Sequence, residues 1–598
     1  MNIESPIAAA GPRIDPIRRE LLKNALVTIS DNALVAVVRT ARSSNVKHSM
    51  DFSAAIMDGH GQLIAQGLAV PPHLGALMPA IKGCLDHFGD DIRPGDVIGS
   101  NDPYSGCSHL NDIFTFKPIF KDGKRVAFVA LILHHTDLGG RVPGGNASDS
   151  NEIFEEGLRI PPVKFCENSV PNPMVLRFIE FNSRVPERVL GDFKAQLAAL
   201  NQAEAEMHKL LSTWETPKFL AYVTSLVDYS EQLTRAGLRA LPDGEVEFEE
   251  WNDDDGVHQG PFRMHLKLTK RGDEILCDFS GTPPQSGGAI HANLAFTTSC
   301  VYAAIRTLLP TDVPTNAGMY RPIKVLVPPG TLLSAQFPAA VGSRGQIGFR
   351  VRTIVLGALG KLVPNRLPAC PGGSEFAMAA SSHDADGRRS VHLEFHNTTG
   401  NGGGPNQDGQ DAGPYCIGNL ANIPVELIEA ENPIRVEEYA FLPNTGGAGK
   451  YRGALAIVRQ YRFLAPEMLI QIRSDRFKSQ PWGLYGGYPG SAARAFLNPS
   501  TEAELKLPSK FVRVVSQDDV FRAEMAGSGG YGNPIERDPT SVLEDVRQGK
   551  MSVEHATQVY GVVIVQSAAN LDLASSDDHI LDQAATTRAR SQQREAKP

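Results

Sequence analysis

The stretch from residue 112 to residue 135, DIFTFKPIFKDGKRVAFVALILHH, leaves this chain few choices. Two runs of strand-forming residues flank a short polar turn around Asp122 and Gly123, the pattern of an antiparallel hairpin. Cross-strand partners in such a hairpin keep a constant sum of residue numbers. One register sets Phe114 against Ile132, Phe116 against Ala130 and Pro118 against Phe128, an apolar face, and then Asp112 falls opposite His134. Their Cβ atoms would lie about 5 Å apart. A register shifted by one residue, from a two-residue turn, would leave Asp112 and His134 diagonal neighbours instead. In the first register, parity turns His134 toward the apolar face and leaves His135 for the opposite face.

The rest of the chain predicts an α+β, β-rich, multi-lobed protein, with antiparallel hairpins at its centre and helices packed outside. At about 150 residues per domain, 598 residues make several domains or two large lobes. The 56 glycines and 42 prolines exceed the usual ~12% of a globular chain and favour turns around sheet over a helical bundle. Residues 1–15 read as a loose arm. A lobe with helices spans 16–240, opening on an amphipathic helix from Pro16. Residues 241–535 form a β-rich lobe laced with glycine loops, which either approach a ligand or partner or make tight turns. Helices are expected over 536–569, and 570–598 has the composition of a disordered tail.

A formal charge of −9 argues against a nucleic-acid or anionic-membrane binder, which needs a basic face. Seven scattered cysteines without a CxxC pair fit a reducing compartment. The N-terminus lacks a basic start followed by an apolar stretch, and the longest apolar run, Val126 to Leu133, is far shorter than the ~18 residues of a membrane span. The expectation is a soluble cytoplasmic protein with no membrane partner. GSGGYG at 527–532 matches a dinucleotide fingerprint only literally, since the prolines of NPIERDP block the helix that should follow. GGAGKY at 446–451 has Asn444 and Tyr451 where a phosphate loop needs Gly and Ser or Thr, so this chain shows no nucleotide site.

Seven of the 16 histidines lie within residues 48–135. His109 and Asp112, three apart in a loop entering a strand, join His134 as two imidazoles and a carboxylate, a set suited to Zn, Mn or Fe with positions left open. Asp51, at the mouth of the hairpin DFSAAIMDGHGQLIAQG, is the best candidate for a fourth ligand. From the residues alone, H-x-x-D also reads as a hydrogen-bonded turn.

NDPYSGCSHLNDI, LHHTDLGGRVPGG, EGLRIPPVK, QGLAVPPHLGALMPAI and GSGGYGNP together resemble the hydantoinase B/oxoprolinase family. The resemblance covers about residues 15–565, with Cys107 standing where the family motif usually has glycine. It implies the beta subunit of an ATP-dependent amidohydrolase that opens a cyclic amide (a hydantoin, 5-oxoproline or a lactam). The resemblance carries the metal ligands onto Asp51, His109, Asp112 and His134, with zinc first and manganese or iron as alternatives. His73, His135 and Asp137 fall in similar motifs and are expected to support the ligands or face the substrate. No side-chain base is implied, because the nucleophile would be a water bound to the metal. ATP and Mg would sit on a hydantoinase A-type alpha subunit, in an (αβ)2 assembly, which phosphorylates the amide oxygen. The alternative within the resemblance is a metal-bearing subunit of an acetone- or acetophenone-type ketone carboxylase.

Overall fold

The computed structural model describes residues 14–67, 70–374, 376–383, 386–395, 400–413, 418, 420–566 and 579–595. Most of the expected N-terminal arm, and residues 570–578 and 596–598 of the expected tail, lie outside these. The fold is mixed helix and sheet. At its centre is a seven-stranded sheet built from β1 (Phe52–Asp58), β2 (Leu63–Gln66), β3 (Val97–Ser100), β4 (Asp112–Lys121), β5 (Lys124–His134), β6 (Val163–Glu167) and β7 (Val170–Pro171). Its strand order is β2-β1-β5-β4-β3-β6-β7, so the β4–β5 hairpin lies in the middle. The register pairs Asp112 with His134, Phe114 with Ile132, Phe116 with Ala130 and Pro118 with Phe128. That is the first of the two registers weighed from the sequence.

Because strand side chains alternate, this register separates two cores. The even-numbered Phe114, Phe116, Ala130 and Ile132 pack in one apolar cluster with residues of the helices Leu294–Arg306 and Gly345–Leu362, such as Phe296 and Ile354. The odd-numbered Ile113, Val129, Leu131 and Leu133 pack in the other with Leu26, Val37, Phe193 and Phe219. The helix Pro16–Thr40 starts where expected, with Pro16 in its first turn and the Asp15 side chain accepting from the Ile17 amide. It is long and apolar enough to cross a membrane by length and composition, but its residues Leu22, Leu26, Ile29, Leu34 and Val37 are buried in this second core.

A four-stranded sheet follows, of β8 (Gly244–Asp254), β9 (Gln259–Arg271), β10 (Glu274–Asp278) and β11 (Ile323–Leu326), the first three forming the expected meander. The first apolar cluster also contains Leu238, Met264, Phe279 and Leu359. One core therefore runs across residue 240, between the two lobes expected from the sequence. Two further sheets carry the strands Ala377–His383, Arg389–Phe395, Glu467–Arg473 and Lys510–Ser516, and Ile434–Leu442, Ala456–Phe463, Val520–Glu524, Arg494–Leu497 and Leu505–Lys506. They enclose a third core around Phe376, Tyr461, Ile470 and Phe521.

The disordered tail expected over 570–598 is corrected by the structure for residues 579–595. These form the strand His579–Leu581 and the helix Gln583–Glu595. The helix is held mainly by polar contacts: Arg590 donates to the carbonyls of Tyr560 (3.0 Å) and Arg537 (2.7 Å). Anchors of that kind leave no apolar period to read.

The glycine loops pack chiefly on one another. A Cβ on Gly529 would lie 2.0 Å from the Trp482 carbonyl oxygen, and one on Gly453 would lie 2.0 Å from that of Ser528. These glycines let backbones approach more closely than any side chain allows. Gly529→Ala is expected to lower stability by about 1–3 kcal/mol through overpacking, read as a fall in the thermal unfolding midpoint. Gly404→Ala, whose added Cβ would lie 3.5 Å from the Gln407 side chain, should leave the midpoint nearly unchanged.

Candidate metal centre

The hairpin register sets the site. Asp112 opens β4 and His134 closes β5, at the same end of the central sheet. Asp51 lies just before β1, where its carbonyl accepts from the His134 amide at 3.1 Å. The loop between β3 and β4 supplies His109. Asn101 pins this loop by donating to the carbonyls of Leu110 (2.6 Å) and Leu158 (2.9 Å) and accepting from the Ile160 amide (2.6 Å). Cys107 is fully buried, and its thiol donates to the Ser100 carbonyl at 3.4 Å. The cysteine thus fills the core under the loop.

His109, Asp112 and His134 bring ligand atoms within 4.8 Å of one another, all three buried. With metal–ligand bonds of about 2.0–2.2 Å, small side-chain adjustments let one ion touch all three. Neither ring nitrogen of His109, nor Oδ1 of Asp112, makes a hydrogen bond among the described residues. Buried polar atoms are normally satisfied, so these orphaned acceptors fit a cation. Asp51 is joined to this group through His73, whose Nε2 lies 3.8 Å from Asp51 Oδ1 and 3.7 Å from Asp112 Oδ2.

His73 stands in the first turn of the helix Pro71–Phe88. Ser53 Oγ accepts from the Val70 amide at 3.2 Å and lies 3.0 Å from His73 Nδ1. This contact holds the His73 ring with Nε2 facing the two carboxylates.

His135 and Asp137 are placed otherwise. His135 lies on the opposite face of the sheet, 6.4 Å from the Phe193 ring. Asp137 does not orient His134. Its oxygens accept from the amides of Gly139 (3.1 Å), Gly144 (2.9 Å) and Arg184 (2.9 Å), and from the Arg184 guanidinium (3.0 Å). It holds the glycine-rich loop after β5 in shape. The group beside His134 is Asn45, whose amide nitrogen lies 3.3 Å from Nδ1 and donates to the His134 carbonyl at 3.1 Å.

Two cations complete the site. Arg344, at the start of the helix Gly345–Leu362, donates to Asp112 Oδ2 at 2.8 Å, and the Ser108 hydroxyl bonds the same oxygen. Arg473 ends the strand Glu467–Arg473, and Phe395 ends Arg389–Phe395. Both pair with Ala377 on the strand between them. The small alanine lets the Arg473 guanidinium reach over the Phe395 ring, 5.3 Å from its centroid. Asp51, His73, His134, Arg344 and Arg473 line one cavity of about 80 Å³.

Burial and neighbouring charge set the protonation states. Burial pushes His109 down to about 4, helped by the positive charge of Arg344, and holds His134 well below the usual imidazole range. Burial likewise lowers His73 to about 4. All three rings are neutral at pH 7, as ligand imidazoles must be. Burial and then the charge of Asp112 push Asp51 up to about 8. Burial acts to raise Asp112 as well, but His109, Arg344 and His73 outweigh it and hold this carboxyl well below its ordinary value. The metal-free site thus keeps one proton on Asp51 at neutral pH.

Residues 15–534 match the model of the family described as hydantoinase B/oxoprolinase. The chain is 31% identical over 585 residues to caprolactamase subunit beta of Pseudomonas jessenii, covering 95% of this chain and 99% of that one. It superposes on the crystal structure of ATP-dependent caprolactamase from Pseudomonas jessenii with a TM-score of 0.89 at 30% identity, covering 97% of this chain and 100% of that chain. The nucleotide-free structure of an acetone carboxylase shares the fold, with a TM-score of 0.89 at 20% identity, covering 98% of this chain and 84% of that chain.

Titration of a divalent ion into the metal-free chain at pH 7 is expected to release about one proton, because Asp51 must ionise while the imidazoles are already neutral. The affinity should rise with pH up to about 8, where Asp51 loses its proton unaided. Calorimetry in buffers of different ionisation enthalpy measures the release. Asp51→Asn should abolish it, and an unchanged release in that variant would remove Asp51 from the ligand set.

Proposed function

The chain belongs to the hydantoinase B/oxoprolinase family, and from that membership we propose that it is the metal-bearing beta subunit of an ATP-dependent amidohydrolase. Its substrate class is a cyclic amide: a hydantoin, 5-oxoproline or a lactam. An alpha subunit of hydantoinase A type supplies ATP binding in an (αβ)2 assembly, and the pair works in the cytoplasm. The observation that supports the reading is a buried cluster of His109, Asp112 and His134, beside a small cavity lined by Asp51, His73 and His134. Caprolactamase subunit beta, nearly the same length, supports the two-subunit reading.

An amide is a poor electrophile, and transfer of a phosphoryl group from ATP to its oxygen makes the ring carbon attackable. Water oxygen bonds to that carbon, the C–N bond breaks with a proton going to nitrogen, and an acyl phosphate remains. A second water converts it to carboxylate and inorganic phosphate. A bound divalent ion, zinc first with manganese or iron as alternatives, supplies Lewis acidity and a water acidic enough to ionise near neutral pH.

The chain's own residues prepare that chemistry. His109 and His134 offer lone pairs at pH 7 because burial holds their protons off. Asn45 packs beside the His134 ring, and Ser53 holds the His73 ring with Nε2 facing Asp51 and Asp112. Nearly full burial, with His109 1% and Asp112 0% exposed, limits bulk water and strengthens every charge interaction within the site.

The fold shared with acetone carboxylase gives the second reading, a ketone carboxylase subunit. Both readings use the same ligands, so the isotope in the product separates them. The chain reconstituted with its alpha subunit and ATP is expected to place solvent oxygen in the product carboxylate of a cyclic amide and to retain no bicarbonate carbon. The isolated chain should hydrolyse neither ATP nor the amide. Stable incorporation of bicarbonate carbon into a ketone would instead establish the carboxylase.

A further inference from the structure

Two buried guanidiniums facing the ligand set call for an explanation. Arg344 and Arg473 are 8% and 6% exposed. They come from different elements and line the same cavity as Asp51, His73 and His134. Each is held in place. Arg344 bonds Asp112 and lies 4.8 Å from the Phe296 ring centroid, while Arg473 donates to the Gly342 carbonyl at 3.3 Å and lies over Phe395. Burying a cation costs several kcal/mol unless other charges compensate it, and a planar guanidinium matches the oxygens of a carboxylate or a phosphate.

The charge balance says which anion. Counting Asp51, Asp112, Arg344 and Arg473 alone, the two carboxylates when ionised cancel the two guanidiniums, and a divalent ion held by His109, His134 and the carboxylates would add two positive charges. Glu156 lies within electrostatic reach of Arg344, but its carboxyl accepts from the Gly342 amide at 2.6 Å and burial pushes it up to about 8, so it is mostly uncharged at neutral pH. An anion of two charges therefore fits the cavity better than a neutral or singly charged group. Planar guanidiniums match the oxygens of a tetrahedral oxyanion.

We propose that Arg344 and Arg473 form a binding site for the phosphoryl group of the activated substrate, on the cavity wall facing the ligand set. The proposal rests on the amidohydrolase reading above and deepens it. Gripping the phosphoryl oxygens would turn the ring carbon toward His109, Asp112 and His134 and stabilise the charge that collects on phosphate as it leaves. Arg344, bonded to Asp112, ties the anion site to the ligand set. Arg473, whose guanidinium donates to the Gly342 carbonyl, is the arm whose removal tests the anion site.

The test is calorimetric titration of inorganic phosphate into the full-length chain at constant ionic strength. A saturable site is expected, weakened about tenfold in Arg473→Met, where a charge-assisted contact is lost, and partly restored in Arg473→Lys, with metal content equal in all three. In the manganese-loaded chain, the phosphorus-31 relaxation of bound phosphate should be strongly enhanced, which locates the anion beside the ion without relying on any variant. Absence of a saturable site, no relaxation enhancement, or unchanged affinity in Arg473→Met would overturn the proposal. The two readings fail separately. Solvent oxygen entering the product while phosphate finds no site would overturn the anion site alone. Phosphate binding as described without solvent oxygen in the product would overturn hydrolysis and sustain the anion site.

Discussion

The register of one hairpin carries the whole arrangement. Pairing Asp112 with His134 puts both at one end of the central sheet and on the same face as Phe114, Phe116, Ala130 and Ile132. A slip of one residue would turn these side chains to the other face and break both cores at once, because each face of the sheet is covered. The apolar packing that stabilises the fold therefore also fixes the geometry of the site. Burial of the strand is what makes its polar end rigid.

That burial has an electrostatic consequence. Carboxylates and guanidiniums moved out of water are unfavourable singly and tolerable only as a set. Here Arg344 meets Asp112, His73 stands between Asp112 and Asp51, and Asp51 keeps a proton at neutral pH. A divalent cation bound here would displace the Asp51 proton and take up the lone pairs of the neutral His109 and His134 rings.

How much of this was legible in the sequence follows from the range of the forces. The hairpin register could be read because alternation and a short turn are local, and parity alone separated His134 from His135. Arg344 and Arg473 could not be read, since they reach the site from more than 200 residues away and carry no local pattern. The helix Gly345–Leu362 was hidden by its own glycines. Gly357 is there because a Cβ would lie 2.4 Å from the Phe248 ring of β8, a packing constraint that a propensity reading takes for a loop. The partners of Asp137 were not legible either, since the amides of Gly139, Gly144 and Arg184 claim its oxygens through the shape of the loop. The role of Asn45 had no signal at all, being set by the packing of a short helix against β5.

The central claim is that one ion sits among Asp51, His109, Asp112 and His134, and anomalous diffraction from crystals of the purified chain measures it most directly. The account predicts a single strong peak per chain at about 2.0–2.2 Å from two imidazole nitrogens and two carboxylate oxygens, with its absorption edge identifying the element. A peak elsewhere in the chain, or a fully occupied water in its place in metal-supplemented crystals, would contradict it.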